Sequence, residues 1–255
     1  MRAEFSEFSY GFALSYEIMS ALLPQVVSEP LFPSFVSDDD FESSIEHGWP
    51  IFLRFKLAEY MKMPRARHWS DYDHPFFRLA LPNRKHSNQH NLLRALAQRE
   101  PEVYYAAPMF YRQLEFNQAF LANRILEQSV FIPLQALPDL TDDRDHHLTF
   151  CQGEPGVRWH SQTGQHLEVS KSGKKWLAQV KERAAAPREL GLPYFVELRS
   201  ALIEMVKQRT LQPDLFLLDL PFDLENASPR VVFRDLRYLL VTYFGVETIV
   251  LHPRA

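Results

Sequence analysis

Apolar residues near the N-terminus recur at intervals that predict a helix. Phe8, Phe12, Ile18 and Leu22 lie at near-helical spacing within residues 5–23, and a proline follows this run. We therefore expect a first helix that buries one face against the rest of the protein.

Extended patterns come next along the chain. Residues 25–40 are strand-like but are interrupted by two prolines, which favours an edge strand or an entry loop, and residues 41–45 form a second short extended run. Residues 51–57, IFLRFKL, are the clearest strand of the first half. Because side chains alternate along a strand, Arg54 and Lys56 are predicted to lie on one face.

A helix and a fourth strand complete the first part of the chain. Residues 60–85 are irregular, aromatic and basic, and Ser87 can then cap a helix that presents several leucines on one face. Residues 102–108, EVYYAAP, predict a strand. The predicted order is helix, strand, strand, strand, helix, strand.

The rest of the sequence alternates between helical and extended patterns, which predicts an α/β fold with a mixed sheet flanked by helices. The weak boundary between Gly153 and Gly156 divides the chain into an α/β core of residues 1–153 and a C-terminal α/β portion of residues 154–255. One continuous domain is the alternative.

Charge is distributed unevenly over the first hundred residues. Residues 3–53 contain nine acidic side chains and no lysine or arginine, whereas residues 54–99 contain ten cations and three acids. This asymmetry indicates either an acidic site beside a basic surface or two solvated faces of one domain. The net charge of −4 gives no overall attraction to nucleic acid.

Cys151 is the single cysteine among 255 residues, so an internal disulfide and a thiolate metal cage are excluded. A reducing cytoplasm fits this composition. No apolar run reaches about 18 residues, so no membrane-spanning helix and no membrane partner are predicted. The N-terminal residues do not have the pattern of a secretory signal.

The order of elements in residues 1–110 and the LRFK sequence resemble the core of the PD-(D/E)XK nuclease superfamily, in its Mrr-like variant. In that family a metal-binding acid lies on or before the second strand, and an acid or glutamine precedes a lysine by two positions on the third strand. The resemblance implies that Lys56 is the motif lysine, that Asp40 is the upstream acid, and that Glu17 is the acid which some members carry on the first helix.

These residue types suit the cleavage of a phosphodiester. Carboxylates hold Mg²⁺, which activates water and binds the phosphate, and a nearby lysine can orient either one. The resemblance therefore implies Asp40 and Lys56 as catalytic residues and Asp40 and Glu17 as ligands of Mg²⁺.

Arg54 departs from the family pattern, because it stands where an acid or glutamine is expected. Arginine has no acceptor atom and cannot bind a cation. Three readings stay open: an active nuclease whose other acids supply enough ligands, a nuclease-like fold with a binding-only site, and a solvated strand without a site.

The segment after this strand, KMPRARHW, places Lys62, Arg65 and Arg67 close to His68 and Trp69. Cations interleaved with aromatic side chains can contact phosphates and stack on bases, while the alternative is a surface loop without a ligand. Together with Arg54 and with Gln89 of the predicted second helix, these three cations are the predicted nucleic-acid contacts.

Two histidine-containing segments offer further chemistry. Asp145 and His147 in DDRDHH could bind a metal, but the adjacent His146 points to the other face of a strand and no further ligands are close in sequence. His160 and Ser161 lack the glycine pattern around the serine of an α/β-hydrolase.

The sequence thus predicts a protein that acts on nucleic acid, DNA in the first place, as part of a bacterial defence system against foreign DNA. That biological setting is implied by the resemblance. The alternative is a non-catalytic interaction subunit with protein partners, which the aromatic content and Arg54 favour.

Overall fold

The computed structural model describes residues 1–22, 26–30, 47–83, 87–154, 156–161, 164–167, 171–209 and 229–253. The helices are α1 (Glu7–Leu22), α2 (Gln89–Arg99), α3 (Gln113–Leu121), α4 (Gly173–Ala184), α5 (Gly191–Arg209) and α6 (Pro229–Leu239), the last continued by a π-helical segment, Leu240–Phe244. The strands are β1 (Val26–Pro30), β2 (His47–Phe55), β3 (Glu59–Met61), β4 (Phe76–Leu81), β5 (Val103–Pro108), β6 (Ser129–Pro133), β7 (His146–Phe150), β8 (Val157–His160), β9 (Gly164–Leu167), β10 (Lys171–Ser172), β11 (Arg188–Glu189) and β12 (Glu247–Pro253).

The larger sheet has seven strands and places β2 near its centre. Its order is β1-β12-β2-β5-β6-β10, with β11 paired to the beginning of β2. β2 and β5 run parallel, and the other pairs of this sheet are antiparallel. This mixed sheet confirms the predicted fold class.

The smaller sheet is antiparallel and has the order β3-β4-β7-β8-β9. Its core-facing side chains, which include Leu79, Leu148 and Trp159, join the large hydrophobic cluster that also contains α2, α5 and α6. The opposite face carries a small apolar cluster around Phe76 and Tyr72, together with polar side chains that include His147 and His160.

Two hydrophobic clusters lie on the two faces of the larger sheet, as the alternation along β2 predicts. Phe52 packs into the cluster with α2, α5 and α6, whereas Ile51, Leu53 and Phe55 pack into the cluster with α1 and α4. Helices therefore cover both faces of the sheet. Within β2 itself, Arg54 near the carboxyl end is a partly buried charged side chain.

The buried face of α1 differs from the predicted one. Ile18 and Leu22 are buried as expected, but 82% of Phe8 and 64% of Phe12 is exposed. The buried face instead includes Tyr10 and Leu14, because the helix is rotated so that these side chains meet the larger sheet.

Residues 60–85 contain more regular structure than their pattern predicts. β3 and β4 lie at the two ends of this segment and belong to the smaller sheet. The described order is therefore α1, β1, β2, β3, β4, α2, β5, with two strands between the predicted third strand and the second helix. The short strand expected at residues 41–45 lies outside the described residues.

The predicted boundary between Gly153 and Gly156 falls within the connection between β7 and β8, which pair with each other. In addition, β12 from the C-terminal portion lies between β1 and β2 of the N-terminal portion. The two portions therefore contribute strands to both sheets.

Each helix in the described ranges is too short or too polar to cross a bilayer.

Candidate functional site

Arg54 lies at the carboxyl end of β2 and joins three distant parts of the chain. Its Nη1 donates a hydrogen bond of 3.0 Å to the Gly245 carbonyl oxygen, and its Nη2 lies 3.4 Å from Glu7 Oε2. The side chain is mostly buried, and its Nε has no hydrogen-bond partner. The guanidinium is thus held in place at the edge of the core.

Lys56 is a half-buried cation directly beyond the same strand end. Burial lowers the pKa of its ammonium group, the Arg54 charge lowers it further, and Glu7 partly offsets both effects. Among the residues that the structure describes, no carboxylate forms an ion pair with Lys56. Among the described residues, two cations, Arg54 and Lys56, therefore lie beside one carboxylate, Glu7, at this strand end.

Gln89 reaches the same place from the first residue of α2. The Gln89 and Arg54 side chains both pack closely against Gly245. A Cβ atom added to Gly245 would stand 2.4 Å from Gln89 Nε2 and 3.2 Å from Arg54 Cζ. Gly245 has a φ of +63°, which glycine adopts without strain. The structure thus brings Arg54 and Gln89, two of the predicted nucleic-acid contacts, together around one backbone turn.

This arrangement can bind an anion. Arginine, lysine and a side-chain amide donate hydrogen bonds to phosphate oxygens, and the amino-terminal end of α2 adds the positive end of a helix dipole. The site lies where the parallel strand β2 ends and the connection to α2 and β5 begins, which is the usual place for ligands in sheets with parallel strands.

Glu17 does not join this group. Only 5% of it is exposed, and its Oε1 and Oε2 accept hydrogen bonds of 2.8 and 2.7 Å from the backbone N–H groups of Ile125 and Leu126. The family resemblance implied Glu17 as an acid on the first helix, but the described contacts are those of a carboxylate that fixes a loop. This geometry argues against the predicted role of Glu17 as a ligand of Mg²⁺.

Asp40, the other predicted magnesium ligand and catalytic acid, lies outside the described residues. Mg²⁺ requires several oxygen ligands, usually with more than one carboxylate or phosphate. Near Lys56 the described residues offer only Glu7, which already pairs with Arg54. The described part of the site therefore does not fit Mg²⁺, and magnesium-dependent cleavage stays a prediction.

The basic segment lies on the surface, as its composition indicates. Lys62, Arg65 and Arg67 are exposed in the connection between β3 and β4. Arg67 lines an open depression together with Asn83 and Ser161. These cations are accessible to a polyanion, and their role in binding one stays a prediction.

Sequence reasoning missed Glu7 and Gly245, which position Arg54. The signals were present but weak: Glu7 is the acid in the first turn of α1, and Gly245 is the glycine that follows the α6 segment. Neither pattern tells which distant side chain each residue meets.

Comparisons of the chain with protein-family models, with curated proteins and with solved structures find no match.

Proposed function

We propose that this protein binds nucleic acid through its phosphates, with Arg54 and Lys56 as the central phosphate contact. The observation that carries the proposal is the pair of half-buried cations at the end of β2, of which only Arg54 has an ion-pair partner in the described chain. An anion that enters this place gains charge-assisted hydrogen bonds and relieves the repulsion between the two cations.

In this proposal, further exposed cations contact neighbouring phosphates along the nucleic-acid backbone. Lys62, Arg65 and Arg67 follow Lys56 in the chain and lie on the surface, so they suit sequence-independent phosphate contacts. Such contacts release counterions and make the affinity fall steeply with salt. DNA is the predicted polymer, and a role in defence against foreign DNA belongs to the same proposal.

The experiment measures binding by fluorescence anisotropy with labelled double-stranded DNA, single-stranded DNA and RNA over a series of salt concentrations. Lys56→Ala removes one phosphate contact, so we expect the affinity to fall roughly tenfold and the slope of log K against log salt to lose about one unit. Lys175→Ala is the matched control, because Lys175 is an exposed lysine on α4, on the other side of the larger sheet.

Equal losses of affinity in Lys56→Ala and Lys175→Ala would show that only the general surface charge is measured. Absence of binding to all three polymers at low salt would reject the proposal. A preference for one polymer decides between DNA and RNA.

Cleavage is a separate question that the same samples answer. Incubation with Mg²⁺ or Mn²⁺ reveals a nuclease if products appear and if both Lys56→Ala and Asp40→Asn abolish them. Binding without cleavage identifies a binding-only site, in which Arg54 has replaced a metal ligand.

A second candidate function is that of an interaction subunit, and one surface favours it. Phe8, Phe12 and Tyr16 follow each other at intervals of four residues on α1 and are largely exposed. They border a cavity of about 280 Å³ between α1 and β12. An exposed aromatic row of this kind is typical of a protein contact.

Self-association through α1 is the simplest form of this candidate. Sedimentation velocity over a wide concentration range detects it, and Phe12→Asp should then restore the monomer. A protein that stays monomeric throughout, with no change in Phe12→Asp, contradicts this form.

A further inference from the structure

The outer face of the smaller sheet carries a cluster of histidines that the proposed function does not use. His160 on β8 pairs directly with His147 on β7, so both side chains lie on the face opposite the core residue Trp159. The connection between β3 and β4 brings His68 to this face, where its ring stacks on that of His160 with 3.7 Å between centroids.

Asp71 completes a group of three potential ligand atoms. Its Oδ2 lies 3.9 Å from His68 Nδ1 and 3.8 Å from His160 Nδ1, and all three atoms lie within 4.8 Å of one another. Both distances are too long for hydrogen bonds. Three potential ligand atoms therefore lie close together, and the Asp71 carboxylate is hydrogen-bonded to neither imidazole.

A hydrogen-bond chain fixes the orientation of His160. Its Nε2 lies 2.8 Å from Thr149 Oγ1, which in turn lies 2.8 Å from the Tyr72 hydroxyl. When Nε2–H donates to Thr149, the lone pair of Nδ1 points toward Asp71. Histidines that bind metals are commonly oriented by such an outer hydrogen bond.

The imidazoles of the cluster are withdrawn from bulk water. His160 is buried and His68 is partly buried, so a metal ion held by them would be partly shielded from solvent. Arg78, a cation close to His147, is balanced by Glu59 at 2.6 Å.

The donor set indicates the class of ion. Two imidazole nitrogens and one carboxylate oxygen suit borderline transition metals, whereas Mg²⁺ prefers oxygen ligands alone. In a tetrahedral zinc site the ligand atoms lie about 3.3 Å apart, from bond lengths near 2.0–2.1 Å. The two distances from Asp71 need to shorten by only about 0.5 Å to match this.

We propose that His68, Asp71 and His160 bind one divalent transition-metal ion of the zinc class. Three protein ligands leave a fourth position for water or a substrate, as in catalytic rather than structural zinc sites. An open depression adjoins the cluster, since Arg67 and Ser161, the chain neighbours of His68 and His160, line it.

A second group of potential ligands provides the control. His74 lies in the same connection as His68, and its Nε2 stands 3.4 Å from Glu154 Oε1, near Cys151. The His74 and Glu154 side chains are 46% and 45% exposed, so this group lacks a buried imidazole like that of His160.

The test uses the full chain after removal of metals with a chelator. Zn²⁺ is titrated in competition with a chromophoric chelator, and Co²⁺ is added separately to record the absorption bands of a tetrahedral site. We expect one ion per chain and tetrahedral bands. Asp71→Asn and His68→Gln should weaken binding roughly a hundredfold or more, and Thr149→Val about ten- to a hundredfold.

His74→Ala is the matched control and should bind Zn²⁺ like the unchanged protein. Thermal unfolding without metal confirms that each variant is folded, and Zn²⁺ should raise the Tm of the unchanged protein but not that of Asp71→Asn. The proposal is overturned if the unchanged protein binds no Zn²⁺, if Asp71→Asn and His68→Gln bind it as tightly, or if His74→Ala removes the binding instead.

Discussion

Glu17 and Asp71 are carboxylates in two regions where distant parts of the chain meet, but their surroundings differ. Glu17 accepts a backbone hydrogen bond on each oxygen and is almost completely buried. Asp71 is 35% exposed and faces two imidazole nitrogens at distances beyond hydrogen bonding. The first arrangement fixes the fold, while the second leaves donor atoms available for a ligand.

This difference separates two kinds of polar residue in the protein. His90 resembles Glu17, since its ring nitrogens lie 2.9 Å from the Tyr105 hydroxyl and 2.9 Å from the Pro138 carbonyl oxygen. His147 is more buried than Asp71 but resembles it in one respect, since its Nδ1 has no hydrogen-bond partner in the described part of the chain. Substitution of a residue whose polar atoms are hydrogen-bonded should therefore lower the free energy of unfolding. Substitution of a residue whose polar atoms lack hydrogen bonds should instead weaken ligand binding.

The largest effect is expected for Glu17→Ala. The substitution leaves the N–H groups of Ile125 and Leu126 buried without acceptors, which costs about 1–3 kcal/mol for each group. We expect a loss of about 3 kcal/mol in the free energy of unfolding, measured with urea. Glu204→Ala, at an exposed position of α5, should change it by less than about 0.5 kcal/mol. If both variants lost a similar amount of unfolding free energy, the hydrogen bonds of Glu17 would not contribute to stability as proposed.

The next effect concerns His90 and acid. Burial lowers the pKa of His90 from 6.5 to about 4, so between these values the unfolded chain binds a proton that the folded protein excludes. Stability contributed by the neutral ring is present above pH 6.5 and is lost as the pH falls toward 4, by at most about 3 kcal/mol. Urea unfolding at several pH values should show this slope, and His90→Gln should flatten it. An unchanged slope in the variant would assign the acid sensitivity to other groups.

A smaller effect is expected for Gly245→Ala. The left-handed backbone at φ +63° costs an alanine about 1 kcal/mol, and the new methyl group displaces Gln89 and Arg54. We expect a loss of about 1–2 kcal/mol together with weaker nucleic-acid binding. Gly153→Ala is the control, because Gly153 also has a positive φ, +88°, but an added Cβ meets no atom within 4 Å. This variant therefore has the backbone cost without the displacement of Arg54. Equal binding by both variants would show that the position of Arg54 has no part in the affinity.

The smallest effect on stability is expected for Asp71→Asn in the absence of metal. The Asp71 carboxylate forms no hydrogen bond with the His68 or His160 ring, and the backbone hydrogen bond from Asp71 N to His68 O is kept in the variant, so the change in the free energy of unfolding should stay within about 0.5 kcal/mol. Chelator-treated samples in urea provide this value. A loss as large as that of Glu17→Ala would place Asp71 among the residues that hold the fold.

Local sequence patterns determined a substantial part of this protein. The alternation along β2 placed Leu53 and Phe55 on the face opposite Arg54, and the apolar segment at residues 102–108 gave the fully buried strand β5. The leucines after Ser87 gave α2. Such patterns suffice because burial of one face of an element depends on residues only a few positions apart.

Tertiary structure alone decided which elements pack together and which polar side chains find hydrogen-bond partners between them. Glu17 finds its partners 108 residues away, and His160 reaches Asp71 only because β8 pairs with β7 beneath the connection that follows β3. Phe8 and Phe12 have the spacing of buried residues, yet the rotation of α1 against the sheet leaves them exposed. Pairing between distant segments depends on the packing energy of the whole fold, which no short window of the sequence contains.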